Sequence, residues 1–245
     1  MPKKIVSIIG VGAFGEFMAS HLYDHFDVML CDPHRDLNAF ADRATICSME
    51  QAAQADYIVL AVPVKYLQNV VQEIAPQLKS GQVLIDVASV KCKPRDIITA
   101  SIPDGVDYIG LHPLFGPESG KNGVEGLNVT VCGQGDDLED SIANFLSDEL
   151  KLNVFQTSAK DHDQQMAYVQ GLSHMIGKAF QNMNMPEITQ STHSFSLLQQ
   201  MADNVKNDSD DLFISIQHDN PYSDMVRERF FESIRDLEKM FEGED

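Results

Sequence analysis

The chain has 245 residues, 43% of them hydrophobic, and a formal net charge of −19. This length supports one large domain or two modest ones with an ample core. The acidic charge argues against nucleic acid and anionic membrane surfaces as partners, because no basic patch could offset the repulsion. No apolar run reaches the length of a membrane span, and Lys3 and Lys4 lead directly into a predicted strand, so we expect no signal peptide and a cytoplasmic location.

Strands and helices alternate through residues 1–157. Apolar runs predict strands at residues 4–9, 27–31, 57–62, 83–88, 108–111, 129–132 and 154–155, with helices at 13–26, 63–81 and 138–150. This alternation predicts an α/β domain with a doubly wound, mostly parallel sheet.

A glycine motif follows the first strand and opens the first helix. Gly10 permits a tight turn, Gly12 lets a pyrophosphate approach the backbone, and Gly15 allows the helix to pack closely on the strand. Alone the motif could be an ordinary strand-to-helix turn, but its context favours a Rossmann-type dinucleotide-binding domain. We expect the cofactor to contact Gly10, Gly12, Ala13, Phe14, Gly15 and Val62.

The acidic residue that closes the second strand bears on the choice of cofactor. Asp32 lies about 20 residues beyond the glycine motif, where an acid binds ribose hydroxyls and repels a 2′-phosphate. NAD is therefore favoured, although the nearby Arg35 leaves NADP possible. Asp32 could instead cap a helix before Pro33, a role that is compatible with ribose binding.

A histidine follows the strand at residues 108–111 and enters a loop rich in Pro and Gly. Strands of such domains end where the ligand lies, so His112 is expected to face a reaction site. A lone histidine is more often structural, but this one is the only titratable side chain at that strand end. Its imidazole can accept a hydroxyl proton as hydride leaves the same carbon. We therefore predict that His112 is the catalytic base.

The strand at residues 83–88 ends in a segment that carries Ser89 and Lys91. The hydroxyl of Ser89 could hydrogen-bond the catalytic imidazole or a nicotinamide amide, since it both donates and accepts. It could also cap the next helix. Lys91 is expected to face solvent.

Residues 158–245 show helical periodicity without a strand pattern, which predicts a smaller all-helical domain. Helices are predicted at residues 161–183, 192–205, 210–218 and 223–241. Their apolar faces are expected to bury against a second copy of the chain, giving a homodimer; these faces comprise Met166, Val169, Leu172, Met175, Ile176 and Phe180, and Phe230, Phe231, Ile234, Leu237 and Met240.

Three polar residues of the first of these helices, Gln170, His174 and Lys178, are spaced by four and so share one face. The face could be a solvent-exposed polar stripe. However, Gly171 and Gly177 cost about 1 kcal/mol each in a helix relative to Ala, which makes sense where another element packs closely. The polar face is therefore a candidate for the lining of a substrate cleft.

Five segments of the chain form a recognisable series: the glycine motif, DVASVK, LHPLFGPESG, VQGLSHMIGKAF and DLFISIQHDNP. In these segments and in their order, the chain resembles the prephenate/arogenate dehydrogenases of tyrosine biosynthesis over nearly its whole length. The HPxxGPE-type loop is the specific part of the resemblance. It implies a nucleotide-binding domain, a helical dimerisation domain, and NAD(P)-dependent oxidation and decarboxylation of prephenate or arogenate.

The resemblance also implies roles for individual residues. His112 would take the ring-hydroxyl proton, and Ser89 would orient that histidine and the nicotinamide. Glu118 would lie near the substrate and His174 would line the cleft, alongside Gln170 and Lys178. The chain departs from the family pattern because it lacks the arginine that grips a substrate carboxylate: no arginine occurs between Arg95 and Arg227.

Three explanations of that departure stay open. Lys178 or His193 substitutes for the arginine, the substrate is a modified analogue such as an aminated one, or the activity is lost and the chain is a non-catalytic cofactor-binding relative. A fourth possibility is a β-hydroxyacid dehydrogenase, in which Lys178 is the acid/base; Gly171, Gly177 and Asn182 imitate the helix of that class. The four scattered cysteines lack C-x-x-C spacing, so we expect free thiols and no metal site.

Overall fold

The computed structural model describes residues 2–242. The chain forms two compact units, Met1–His162 and the residues from Asp163 onward, so the division falls five residues beyond the predicted boundary at 157/158. The first unit contains one sheet whose strands are β1 (Ile5–Ile9), β2 (Asp27–Cys31), β3 (Thr45–Ile46), β4 (Tyr57–Leu60), β5 (Val83–Asp86), β6 (Asp107–Pro113), β7 (Asn128–Cys132) and β8 (Asn153–Gln156).

The sheet is doubly wound, with the strand order β3-β2-β1-β4-β5-β6-β7-β8. Strands β1 to β6 run parallel to one another, β7 is antiparallel to β6, and β8 is parallel to β7. The predicted α/β class with a mostly parallel sheet is therefore confirmed. The two-residue strand β3 carries too short an apolar pattern for sequence periodicity to detect.

Helices cover both faces of this sheet. They are α1 (Ala13–Leu22), α2 (Met49–Ala52), α3 (Val64–Ile74), α4 (Cys92–Thr99) and α5 (Asp137–Asp148). Two buried clusters result, and strand β4 joins them, because Val59 belongs to one while Ile58 and Leu60 belong to the other. Burial on both faces explains why these strands are continuous apolar runs without alternation.

Two helices end earlier than predicted. Helix α1 ends at Leu22 and is followed by a turn. Helix α3 ends at Ile74, and residues Ala75–Gln77 form a single 3₁₀ turn. Pro76 explains the second difference, since its ring cannot continue an α-helix without a clash and a lost hydrogen bond.

The second unit is helical, as predicted. Its helices are α6 (Ala159–Met166), which begins within the first unit, α7 (Ser173–Asn182), α8 (His193–Asn204), α9 (Asp210–Ile214) and α10 (Ser223–Glu242). A π-helical turn, Ala167–Leu172, joins α6 to α7, and another, Ser215–Asp219, follows α9. Across residues 2–242, no helix has both the length and the apolar character needed to cross a membrane.

The two glycines predicted to allow close packing do so. A Cβ added to Gly177 would lie 2.6 Å from Cγ2 of Val205, at the end of α8. A Cβ on Gly171 would lie 3.3 Å from Oγ of Ser223, the first residue of α10. The cost of glycine in these positions is therefore offset by close approach within the helical unit.

Candidate active site

Five loops meet at one edge of the sheet, because β1, β2, β4, β5 and β6 run in the same direction. The strand order reverses between β1 and β4, and ligands of doubly wound sheets lie outside the carboxyl ends of strands at such a point. The predicted residues of the first unit lie along this edge: the glycine motif after β1, Asp32 after β2, Val62 after β4, Ser89 after β5 and His112 at the end of β6.

The three glycines of the motif have different surroundings. Gly10 has a φ of +94°, and a Cβ there would lie 2.7 Å from the carbonyl oxygen of Ala61 and against Val62. A Cβ on Gly15 would collide with the carbonyl oxygen of Gly10, whereas nothing lies within 4 Å of one on Gly12. Gly10 and Gly15 therefore allow the turn and the packing, and Gly12 leaves the open space that a pyrophosphate requires.

The first turn of α1 can receive an anion. Gly12 is its N-cap and has no side chain to satisfy the first N–H groups of the helix. Ala13 is exposed beside it. Phe14 instead lines an apolar cavity of about 280 Å³ with Phe17 and Phe115, so a contact from Phe14 to a cofactor would come from its backbone.

Asp32 closes the turn after β2 by binding backbone. Its Oδ2 accepts the N–H of Val11 at 2.9 Å and its Oδ1 accepts the N–H of His34 at 3.0 Å. A carboxylate has about four acceptor sites, so two remain for ribose hydroxyls. Arg35 donates to the carbonyl of Val11 and pairs with Glu16 at 2.7 Å, which leaves much of its charge neutralised. Asp32 is not a helix N-cap.

His112 lies within β6 and not in the loop after it. The antiparallel strand β7 pairs with the end of β6 and places Thr130 opposite His112, which extends the strand to Pro113. The side chain of His112 is buried, with an exposure of 3%. The prediction that the strand ends at residue 111 and that His112 enters a loop is therefore wrong. The pairing of β6 with β7 causes the difference, and sequence periodicity does not reveal this pairing.

The ring of His112 is hydrogen-bonded to a second buried histidine. Its Nδ1 lies 2.8 Å from Nε2 of His162, and the two rings are nearly perpendicular at 71°. His162 is in the first turn of α6 and is 1% exposed. The sequence does not single out His162, because it follows His112 by fifty residues and lies in a polar stretch, Lys160–Gln165, at the start of the helix predicted over residues 161–183.

Lys91 is fully buried, so the prediction that it faces solvent is wrong. Its ammonium pairs with the carboxylate of Asp86, at the end of β5, and donates to the carbonyl oxygen of Leu111 at 2.7 Å. The hydroxyl of Tyr108 donates to the same carboxylate at 2.6 Å. Burial, with the negative charge of Asp86 adding to it, raises the pKa of Tyr108 well above its ordinary value. These partners compensate Lys91 for the loss of water.

The network is packed tightly against β6. A Cβ on Gly110 would lie 2.9 Å from the hydroxyl of Tyr108 and 3.0 Å from Cδ of Lys91. Since Leu111 directly precedes His112, the buried ion pair holds the strand next to the candidate base. In the sequence, one pattern hints at this ion pair: Asp86 ends a strand, and Lys91 follows five residues later between Val90 and Cys92.

Ser89 is half-buried in the loop between β5 and α4. The helix begins at Cys92 with Lys91 as its N-cap residue, so Ser89 does not cap it. Because Nδ1 of His112 meets His162, a hydrogen bond from Ser89 to this imidazole would have to use Nε2. Contact of Ser89 with the imidazole or with the nicotinamide amide therefore stays a prediction.

Glu118 lies in the loop after β6 and faces solvent. Its side chain is 82% exposed and forms an ion pair with Lys121, three residues away. A substrate contact by Glu118 therefore stays a prediction.

The polar residues Gln170, His174 and Lys178, which lie in the π-helical turn before α7 and in α7 itself, do not form a solvent-exposed stripe. His174 is buried, while Gln170 and Lys178 are half-buried, and Oε1 of Gln170 is a buried acceptor without a hydrogen-bond partner. Nδ1 of His174 lies 3.5 Å from the carboxylate of Asp208 but forms no hydrogen bond. Burial lowers the pKa of His174, the nearby charge of Lys178 lowers it further, and Asp208 opposes both. The ring is therefore held neutral.

Residues 21–130 match the family model described as "Prephenate dehydrogenase, nucleotide-binding domain". The chain is 26% identical to arogenate dehydrogenase 1, chloroplastic, of Arabidopsis thaliana over 248 residues, which cover 94% of this chain and 38% of that protein. Both comparisons relate the chain to prephenate and arogenate dehydrogenases. It is also 32% identical over 130 residues to a 4-amino-4-deoxyprephenate dehydrogenase of Streptomyces pristinaespiralis, with 52% of this chain and 42% of that protein covered.

The fold of the chain is also found in solved structures. It superimposes on a prephenate dehydrogenase from A. aeolicus, solved with hydroxyphenyl propionate and NAD⁺, with a TM-score of 0.74 and 18% identity. That match covers 98% of this chain and 91% of the other. The chain spans less than half the length of the two curated relatives named above.

No metal-binding cluster of three or more His, Cys, Asp or Glu residues occurs in the part of the chain that the structure describes. The four cysteines form no disulfide bond.

Proposed function

We propose that the chain is an NAD(P)-dependent dehydrogenase that oxidises and decarboxylates prephenate or arogenate in tyrosine biosynthesis. The observation that carries the proposal is a buried histidine, His112, on the sheet edge that also bears the glycine motif. The match of residues 21–130 to the prephenate dehydrogenase family model supports the same conclusion.

The chemistry needs a base and an oriented ring alcohol. A bound nicotinamide supplies the hydride acceptor. His112 takes the hydroxyl proton as the carbon–hydrogen bond of the same carbon breaks. The ring carboxylate then leaves as carbon dioxide, its bonding electrons make the ring aromatic, and the imidazolium at His112 can return a proton to the phenolate oxygen. Orientation of the ring against His112 is thus the main task of the protein.

We propose NAD as the cofactor, with NADP as the second choice. Gly12 leaves room for the pyrophosphate, and Asp32 keeps acceptor sites for the ribose hydroxyls while its charge disfavours a 2′-phosphate. Arg35 is the cation that could favour NADP, but it is paired with Glu16. Measured dissociation constants for both cofactors test this choice.

We propose that Lys178 provides the positive charge for a substrate carboxylate. The chain has no arginine between Arg95 and Arg227, and Lys178 is half-buried and close enough to His174 to affect its pKa. Replacing a bidentate guanidinium by an ammonium weakens carboxylate binding, so an aminated analogue is a second candidate substrate. The Streptomyces relative named for 4-amino-4-deoxyprephenate supports its inclusion.

We also propose a homodimer through the C-terminal helices and a cytoplasmic location. Phe231, Ile234 and Leu237 of α10 follow one another at helical spacing and are between 42% and 53% exposed. Such a stripe is typical of an interface. Four cysteines without a disulfide bond agree with a reducing compartment.

The test is formation of reduced nicotinamide, followed by absorbance, with prephenate, arogenate and 4-amino-4-deoxyprephenate. Under this proposal one of the three is turned over, and His112→Asn lowers kcat by about 10²–10⁴-fold with NAD binding retained. Lys178→Met raises KM and leaves kcat within a few-fold.

Other outcomes identify the competing functions. A collapse of kcat in Lys178→Met, with His112→Asn nearly active on a β-hydroxyacid, would identify a β-hydroxyacid dehydrogenase. Tight NAD binding without turnover of any of these substrates would identify a non-catalytic relative.

A further inference from the structure

The hydrogen bond between His112 and His162 has room for only one proton. An N···N distance of 2.8 Å requires that one ring donates and the other accepts. When both rings are neutral, each carries a single N–H, so the direction of this bond fixes the tautomers of both.

The two directions have opposite consequences for catalysis. If Nδ1 of His112 donates, its Nε2 is unprotonated and can accept a proton from a substrate. If Nδ1 accepts, the only proton of His112 lies on Nε2, and that nitrogen cannot act as a base.

The backbone around His162 is held by hydrogen bonds. Its backbone N–H donates to the carbonyl of Ser158 at 2.9 Å, and the hydroxyl of Ser158 accepts the N–H of Asp161 at 3.0 Å. The thiol of Cys92 donates to the carbonyl of Ala159 at 3.4 Å, which fixes the start of α6 to α4. The first turn of α6 therefore has a hydrogen-bonded backbone at the point where the His162 ring meets His112.

We propose that His162 is a positioning residue that accepts the Nδ1 proton of His112 and so keeps Nε2 of His112 as the basic nitrogen. The inference rests on the proposed function for the role of His112 as base. Once His112 has taken the substrate proton, its Nδ1–H still donates to His162, and this bond stabilises the imidazolium.

An imidazole is a better hydrogen-bond acceptor for Nδ1 of His112 in this chain than a carboxylate would be. A carboxylate in the place of His162 would favour the imidazolium form of His112 before substrate binds, and it would add negative charge where an anionic substrate must approach. The chain already carries a formal net charge of −19. An imidazole acceptor orients His112 without either effect.

The first experiment measures the tautomer directly and needs no turnover. Nitrogen-15 chemical shifts of the histidine rings distinguish a protonated from an unprotonated ring nitrogen, and the His112→Asn protein assigns the signals of His112. We expect a protonated Nδ1 and an unprotonated Nε2 in the wild type, and a mixture of tautomers in His162→Leu. A protonated Nε2 on His112 in the wild type at pH 7.5 would overturn the proposal.

The second experiment uses matched variants and separates kcat from KM. The amide of Gln ends near the position of Nε2, so His162→Gln keeps an acceptor for His112, while His162→Leu removes it. We expect His162→Leu to lower kcat by about 10²–10⁴-fold, in the range found when the partner of a catalytic histidine is lost, with KM and NAD affinity changed less than threefold. His162→Gln should recover most of the loss.

Equal losses in the Leu and Gln variants, or a kcat of His162→Leu within threefold of the wild type, would refute the positioning role. Should His162→Leu not fold, His162→Asn replaces it, because its shorter amide does not reach His112. If the wild type turns over no substrate, the proposed function fails, while the nitrogen-15 shifts still decide the tautomer.

Discussion

Replacing Lys91 with Met tests whether the buried ion pair holds the candidate site together. The substitution keeps most of the side-chain volume and removes the ammonium. Asp86, which has no exposed surface, then carries its charge without a cation, and the carbonyl of Leu111 loses its donor. The hydroxyl of Tyr108 remains as a neutral partner of the carboxylate.

The expected cost is large. Breaking a buried pair by removing one partner costs about 3–5 kcal/mol, and an unpaired buried carbonyl adds about 1 kcal/mol or more. We therefore expect Lys91→Met to lower the free energy of unfolding by about 4–6 kcal/mol at pH 7.

The assay is urea denaturation of the wild type, Lys91→Met, Asp86→Asn and the double variant, followed by circular dichroism. Asn keeps an acceptor for the backbone N–H of Ala88, which now binds Asp86 at 3.0 Å. The double variant should be more stable than the sum of the single effects predicts, by about 2 kcal/mol. A cost below about 1 kcal/mol for Lys91→Met, or strict additivity, would refute this account of the pair.

Three further predictions concern other parts of the chain. Gly12→Ala should weaken NAD binding at least tenfold in calorimetry without lowering Tm, because its Cβ occupies open space, whereas Gly15→Ala should lower Tm; equal melting temperatures would contradict this. Burial lowers the pKa of His174 in the folded chain, so its neutral ring contributes stability that is present above its ordinary pKa of 6.5 and is lost as the pH falls through the folded value. His174→Gln should therefore flatten the dependence of unfolding free energy on pH below 6.5, and an unchanged slope would count against it. Leu237→Glu should convert the dimer to a monomer in light scattering, and a monomeric wild type would disprove the proposed interface.

The sequence predicts the features whose cause is local. Apolar runs identify the long strands, and the glycine motif identifies the turn at which Gly10 needs a positive φ and Gly12 needs open space. The all-helical second unit follows from periodicity alone.

The features that sequence analysis missed depend on contacts between distant residues. His112 is in a strand because β7 pairs with it, and its partner His162 is fifty residues away. Lys91 was expected in solvent because lysines usually are, and only the folded sheet brings Asp86 and the carbonyl of Leu111 to it.

The position of His162 has a practical consequence for cutting the chain. A nucleotide-binding fragment that stops at residue 157 discards the first turn of α6, and with it the ring that meets His112. Such a fragment retains the glycine motif, so it could still capture dinucleotide while its imidazole is free to adopt the unreactive tautomer. Anyone who excises or transplants this module should therefore carry α6 along with the sheet.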